Sequence, residues 1–205
     1  VQTTPLDPQD LDLLKEVSNI GAGNAATALA HMLGEVITLT IPEVRVLELG
    51  AVANALGGPE RVVVAIHLGV LGEARGNLLL TLSPHAATQL LARLGFRDAA
   101  PDSLPPLAAS ALREIGNILG GTYLTALSRL LHRHLVPTIP GLAVDMAGAV
   151  VDLLLTELAG VSAQALVLET TFAEARGGGG VCGSIFFLPH PDGLETLVAG
   201  GRRRP

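Results

Sequence analysis

The chain states one pattern twice, and that duplication limits what it can fold into more than any other feature. Asp12 is followed by Glu16, Asn19 and Pro42, and Ser110 is followed by Glu114, Asn117 and Pro140. Both copies read Asp/Ser-x3-Glu-x2-Asn-x22-Pro, and each of the four positions recurs 98 residues later (12 to 110, 16 to 114, 19 to 117, 42 to 140). Residues three and four apart share a helix face. Asp12, Glu16 and Asn19 therefore form one polar stripe, and Ser110, Glu114 and Asn117 form another. Two carboxylates and two carboxamides placed alike in two half-chains imply two sites rather than one.

The rest of the chain follows the same duplication. A 3.6-residue apolar rhythm predicts a helix over 9–33, capped by Asp7 or Asp10 and ended by Gly34. Residues 36–49 read as a β-region that Pro42 interrupts, so an edge or a bulge is expected there. A short helix or turn over 50–58 leads to strands 61–68 and 76–82, joined as an antiparallel hairpin. Ser83 and Pro84 open a helix over 85–94, which Gly95 stops. Residues 96–106 form the linker. The second half then gives a helix over 107–134, an extended stretch over 136–145, a helix over 146–158, strands 163–173 and 181–188, and a short helix over 189–199. Ser83-Pro84 and Leu188-Pro189 both lie between a strand and a helix, with His85 and His190 following. Their offset of 105 against 98 implies that the second half gained about seven residues, for which the Gly177–Gly180 run is the expected place. The predicted fold class is α+β: a tandem duplication with half-repeats 9–95 and 107–199 in one domain. Strands of both halves form one largely antiparallel sheet, long site-bearing helices lie on it, and the halves are related by a pseudo-two-fold axis.

Composition excludes several function classes. A net charge of −6, one Tyr, four Phe and no Trp leave neither a basic face nor stacking platforms for nucleic acid. Arg202, Arg203 and Arg204 form the one dense basic run and read as a frayed tail. A single cysteine, Cys182, allows no internal disulfide and fits a reduced cytosolic setting. It lies in a β-like run and reads as buried and inert. The N-terminal residues 1–12 do not read as a signal peptide, and every long apolar stretch is broken by a charge or by glycines.

Other candidate chemistry fails on context. Gly21-Ala22-Gly23-Asn24-Ala25-Ala26 has the G-x-G-x-x-A spacing, but a helix precedes it where a dinucleotide fingerprint needs a strand. Gly177–Gly180 lacks the Gly-Lys-Ser/Thr ending of a phosphate loop. His132 and His134 stand two apart at a helix end and face different ways, and no carboxylate accompanies them at ligand spacing. The bland reading of the duplicated stripe is a solvated helix face. Against it, Glu and Asn recur at fixed spacing while the residues between them change from Val17-Ser18 to Ile115-Gly116. Asn is also a middling helix former, with no local reason to stand mid-helix twice.

At these residues the chain resembles the CheC family of chemotaxis phosphatases, with the related CheX and FliY proteins and, in fold, the flagellar switch protein FliM. Residues 14–25 are similar to the first CheC copy and residues 113–123 to the second, and the likeness spans nearly the whole chain. The resemblance implies a substrate, the aspartyl phosphate of a CheY-type response regulator. It implies that Asn19 and Asn117 align a water for in-line attack and that Glu16 and Glu114 pair with a lysine of the regulator. Asp12 and Ser110 would assist contact or helix geometry, and Pro42 and Pro140 would shape the adjoining strand. The chain would need no cofactor of its own, since the Mg2+ belongs to the regulator. CheD, a receptor-modifying deamidase, is a further partner that the resemblance suggests. The rival expectation is an adaptor or flagellar-switch-like module that binds the phosphorylated regulator without hydrolysing it.

Overall fold

The computed structural model describes residues 7–34, 36–39, 43–156, 164–174, 183–191 and 193. Cys182, Pro42, the Gly177–Gly180 run, Arg202–Arg204 and most of the predicted helix over 189–199 lie outside the described residues. The first helix, α1 (Pro8–Leu33), opens with a capping box: the Asp10 amide donates to the Asp7 carboxylate at 2.9 Å, and the Asp7 amide donates to Asp10 at 3.1 Å. Two orphan amides are thereby satisfied. Gly34 closes the helix in the left-handed conformation, φ 68°. The elements that follow are β1 (Ile37–Leu39), β2 (Glu43–Glu48), α2 (Val52–Ala55), β3 (Val62–Gly72), β4 (Gly76–Leu82) and α3 (Pro84–Arg93). After the linker come α4 (Pro106–Leu131), β5 (Leu135–Pro137), β6 (Gly141–Met146), α5 (Ala147–Leu155), β7 (Gln164–Glu174) and β8 (Gly183–Pro189). The second long helix ends earlier than the predicted 134, because His132 takes the left-handed cap at φ 50°.

The described strands form one antiparallel sheet in the order β7, β8, β4, β3, with β1 and β2 along the β7 edge and β5 and β6 along the β3 edge. The two hairpins are local, β3 with β4 and β7 with β8. The edges are exchanged. Strands β1 and β2 of the first half pair with β7 of the second, and β5 and β6 pair with β3 of the first. The halves are therefore interleaved, and neither one has a complete sheet without the other.

Register explains the second proline of the repeat, Pro140. From Pro137 to Gly141 the edge advances four residues while its partner moves three, from Val70 to His67. That is a one-residue β-bulge. Pro140 sits in it, where no ladder amide is required of it. Leu39 to Glu43 shows the same slip against Phe172 to Glu169.

The hairpins differ from the sequence expectation. Strand β3 runs on to Gly72 rather than stopping at Leu68, because Gly69 admits the Thr138 side chain: its amide donates to Thr138 Oγ1 at 2.8 Å. The insertion is also larger than expected and split in two. Strand β7 begins 102 residues after β3 (164 against 62), and β8 begins 107 after β4 (183 against 76). The counterpart of Pro84 is accordingly Pro191, the helical residue two beyond the end of β8. Pro189 is still strand, paired with Gly76. His190 thus matches Ser83, not His85, and its amide donates to the Arg75 carbonyl at 2.9 Å.

Alternation along the strands divides the apolar residues between two cores. Val64, Ile66, Leu68, Leu78, Leu80, Ile185 and Phe187 pack under α1, α3 and α4. Val63, Ala65, Leu79 and Phe186 pack on the opposite face under α2 and α5. The result is three layers, with the two motif-bearing helices together on one side of the sheet.

Candidate active site

Both stripes lie where their helices meet solvent. Leu14, Val17, Ser18, Gly21 and Ala25 form the buried side of α1, and Leu112, Ile115, Gly116 and Leu119 form that of α4. The repeat of 3.6 residues leaves Asp12, Glu16 and Asn19 on the outward side of α1. Ser110, Glu114 and Asn117 take the same side of α4, and all six are exposed. The structure thus brings together each Glu with its Asn, one turn apart, and repeats the arrangement on the neighbouring helix. Among the described residues, neither Asn19 nor Asn117 has a side-chain hydrogen bond within the protein, so both carboxamides are available to water or to a docking protein.

The helices that carry the stripes are held firmly. They pack on each other along their middles and on the sheet beneath. Some of the small residues on these helices let neighbours approach closely. A Cβ at Gly21 would stand 2.8 Å from Tyr123 Cδ2, so the α4 tyrosine ring lies directly on the α1 backbone. Gly116 is closed against Ile66, and a Cβ at Gly120 would meet Leu68 and Leu78 at 3.1 Å. Gly23 and Gly121 are different, since nothing lies within 4 Å of a Cβ at either. The Tyr123 hydroxyl and Ser18 Oγ share a buried hydrogen bond at 3.1 Å. Burial pushes the Tyr123 phenol up to about 12. This tie was not foreseen from the sequence. Its one signal there is that the chain's single tyrosine stands 98 residues after Ala25, a small residue exchanged for a large one.

An open groove of about 760 Å3 lies between the two helices. Asn117, Thr122 and Arg129 of α4 line it together with Asn24, Thr27 and His31 of α1. Both helix walls are sequence-equivalent, since Thr27 matches Thr125 and His31 matches Arg129. No cluster of three or more His, Cys, Asp or Glu side chains is present among the described residues, and no described helix is long and apolar enough to cross a membrane.

A family model described as CheC-like matches residues 10–45 and 107–142, the two copies of the motif. Over 192 residues the chain is 34% identical to the CheY-P phosphatase CheC of Bacillus subtilis (strain 168), with 92% of each chain covered. It is 29% identical over 134 residues to the flagellar motor switch phosphatase FliY of the same organism, covering 63% of this chain and 34% of FliY. The crystal structure of Thermotoga maritima FliY superposes with a TM-score of 0.73 at 19% identity, covering 98% of this chain and 100% of that one. A chain of the CheX–CheY–BeF3–Mg2+ complex from Borrelia burgdorferi gives 0.55 at 18% identity, covering 84% and 96%. These structures share the overall fold, and the curated relative shares sequence along nearly the full length. The chain belongs to the CheC family.

Proposed function

We propose that this protein is a phosphatase that hydrolyses the aspartyl phosphate of a CheY-type chemotaxis response regulator, using two sites. The observation that carries this reading is the pair of exposed Glu/Asn stripes, repeated on two helices of one rigid face. Sequence similarity along nearly the full length to a CheY-P phosphatase supplies the substrate class.

In the reaction a water oxygen attacks phosphorus, and the bond from phosphorus to the aspartyl oxygen breaks. Inorganic phosphate forms, the regulator's carboxylate is restored, and the water's proton passes to phosphate or solvent. The transition state is loose, so positioning matters more than a strong base. A carboxamide takes no proton at neutral pH, but it donates and accepts hydrogen bonds. Asn19 and Asn117 hold the water in line. Glu16 and Glu114, one turn earlier, pair with a lysine of the regulator and seat the helix. The Mg2+ that neutralises the phosphoryl oxygens is the regulator's. Asp12 and Ser110, a further turn back, assist contact at the edge of the docked surface. This reading carries with it a cytoplasmic location, and a CheD-type deamidase as a second partner on a surface away from the stripes.

The test is phosphate release from a phosphorylated CheY-type regulator by wild type, Asn19→Ala, Asn117→Ala and the double variant. Each single variant should retain part of the activity and the double variant none above the regulator's own decay. A double variant as fast as wild type refutes the assigned chemistry. A wild type that binds the phosphorylated regulator without hastening its decay establishes the adaptor reading instead.

A further inference from the structure

We infer that Tyr123, on the second site helix, is a positioning residue for the first site: through Ser18 and Gly21 it fixes how α1 presents Asn19. The inference rests on the proposed phosphatase reading for its kinetic consequence, and on geometry alone for its structural one.

Tyr123 touches α1 at two points that bracket Asn19 in the chain. Its hydroxyl meets Ser18 Oγ at 3.1 Å, one residue before Asn19. Its ring covers Gly21, two residues after. Both contacts lie on the buried side, and they are almost one turn apart. A helix held at two such points can neither roll about its axis nor slide along it without losing one of them. Asn19, on the opposite side of the same turn, takes its direction from that roll. Tyr123 is itself anchored from below, with its ring edge-on to Phe187 of β8 at a centroid distance of 6.4 Å and an interplanar angle of 63°. It is fully enclosed, and its raised phenol pKa keeps the hydroxyl protonated throughout the physiological range.

The second site has no such bolt. The counterparts of Ser18, Gly21 and Tyr123 at the 98-residue offset are Gly116, Leu119 and Ala25. Neither Gly116 nor Ala25 has a hydroxyl. Helix α4 is instead seated on the sheet, with Gly116 against Ile66 and Gly120 against Leu68 and Leu78. The two sites share their chemistry and differ in their mounting. Site one is held by a side chain of the other half, site two by the sheet.

The test compares Tyr123→Phe in two backgrounds, Asn117→Ala, which leaves the α1 site, and Asn19→Ala, which leaves the α4 site. Removing the hydroxyl should lower kcat at the α1 site by about fivefold or more with KM unchanged within about twofold, and change the α4 site by less than about twofold. Ser18→Ala should give the same selective loss, and combining it with Tyr123→Phe should add nothing, as for two ends of one interaction. Equal losses at both sites, or none at either, would overturn the inference. Hydrogen exchange gives a second readout that needs no activity. In Tyr123→Phe the amides of residues 16–22 should exchange about tenfold faster while those of 114–120 hold. A uniform rise in both windows would show Tyr123 to be an ordinary core residue. Should wild type fail to hasten the regulator's decay, the phosphatase reading falls, and the exchange pattern still decides the positioning role.

Discussion

Leu79 and Phe186 face each other across the β4–β8 pairing at the middle of the sheet, and each is the other's counterpart in the duplication. The offset of 107 between β4 and β8 carries residue 79 onto 186, so the axis relating the halves passes through this pair. The same offsets of 98, 102 and 107 carry the pairing of Glu43 with Glu169 onto that of Gly141 with His67, and Ile37 with Glu174 onto Leu135 with Gly72. Both central side chains are almost wholly buried, at 1% and 2% exposure. Because the edge strands are exchanged, neither half can unfold by itself. Phe186→Ala should cost about 3–5 kcal/mol in urea denaturation and leave a single transition. Two separable transitions would contradict the interleaved sheet.

The glycines of the two long helices should answer alanine substitution in opposite ways. Gly116 is closed by the branched side chain of Ile66, which is itself fully buried. Gly116→Ala must displace it, at about 1–3 kcal/mol of stability. Gly23 is mid-helix with open space beyond it. Gly23→Ala should stabilise by up to about 1 kcal/mol, because the helix loses a residue of poor propensity and the unfolded chain loses freedom. Thermal melts of the two variants test both signs. Each variant also separates packing from site chemistry, since neither glycine belongs to a stripe.

How much of this was legible in the sequence depends on distance along the chain. The helices α1 and α4 and their stripes were readable, because each is set by residues within one unbroken 98-residue frame. The edge or bulge was expected at Pro42, outside the described residues, and the bulge at Pro140 stands at the equivalent place in the second copy. The growth of the offset to 102 and 107 was not. It falls in connections whose length packing does not restrain, and Leu188-Pro189 imitates Ser83-Pro84 closely enough to misplace the join by two residues. Extension of β3 past Gly69 was hidden too, because a glycine there reads as a loop until Thr138 is known to lie against it. The exchange of edge strands left no local mark, since Val44 and Val144 give no sign of which half will pair with them. For the site, the exposed Glu and Asn were legible and their mounting was not. Ser18 looks like part of a polar stretch until Tyr123, 105 residues away, is placed over it.

Glu114 provides a test of docking distinct from water alignment. It stands one turn from Asn117 on the exposed side of α4. In the Asn19→Ala background, where α4 holds the remaining site, Glu114→Gln removes the charge and keeps the shape. On the proposed docking role, in which Glu114 pairs with a lysine of the regulator before the reaction and through it, the expected outcome is a rise in KM of about tenfold, or about 1.4 kcal/mol, with kcat altered much less. Added salt should raise KM for the parent and have little effect on the Gln variant, since screening acts on the charge already removed. A fall in kcat at constant KM would place Glu114 in the chemical step instead.

Tyr123 should make the fold sensitive to alkali, with a sign that follows from burial. Desolvation pushes the phenol from its ordinary 10.0 to about 12 in the folded chain, and the Ser18 hydrogen bond offsets this only in part. The native state thus keeps its proton in a range where the unfolded chain gives it up. A raised folded pKa contributes stability that is whole below pH 10 and is lost as pH climbs toward 12. Two units of difference set the limit of that loss at about 3 kcal/mol. Urea midpoints of wild type should fall through this window, and those of Tyr123→Phe should fall less, because the unfolded variant has no phenol to ionise. Tyr123→Phe removes one titratable group and leaves every other in place, so the difference between the two proteins isolates the tyrosine. Tyr123 is also the chain's one tyrosine, so tyrosinate absorbance follows it directly. Absorbance rising at pH 10 with the fold intact would show that the phenol is not enclosed between the two site helices.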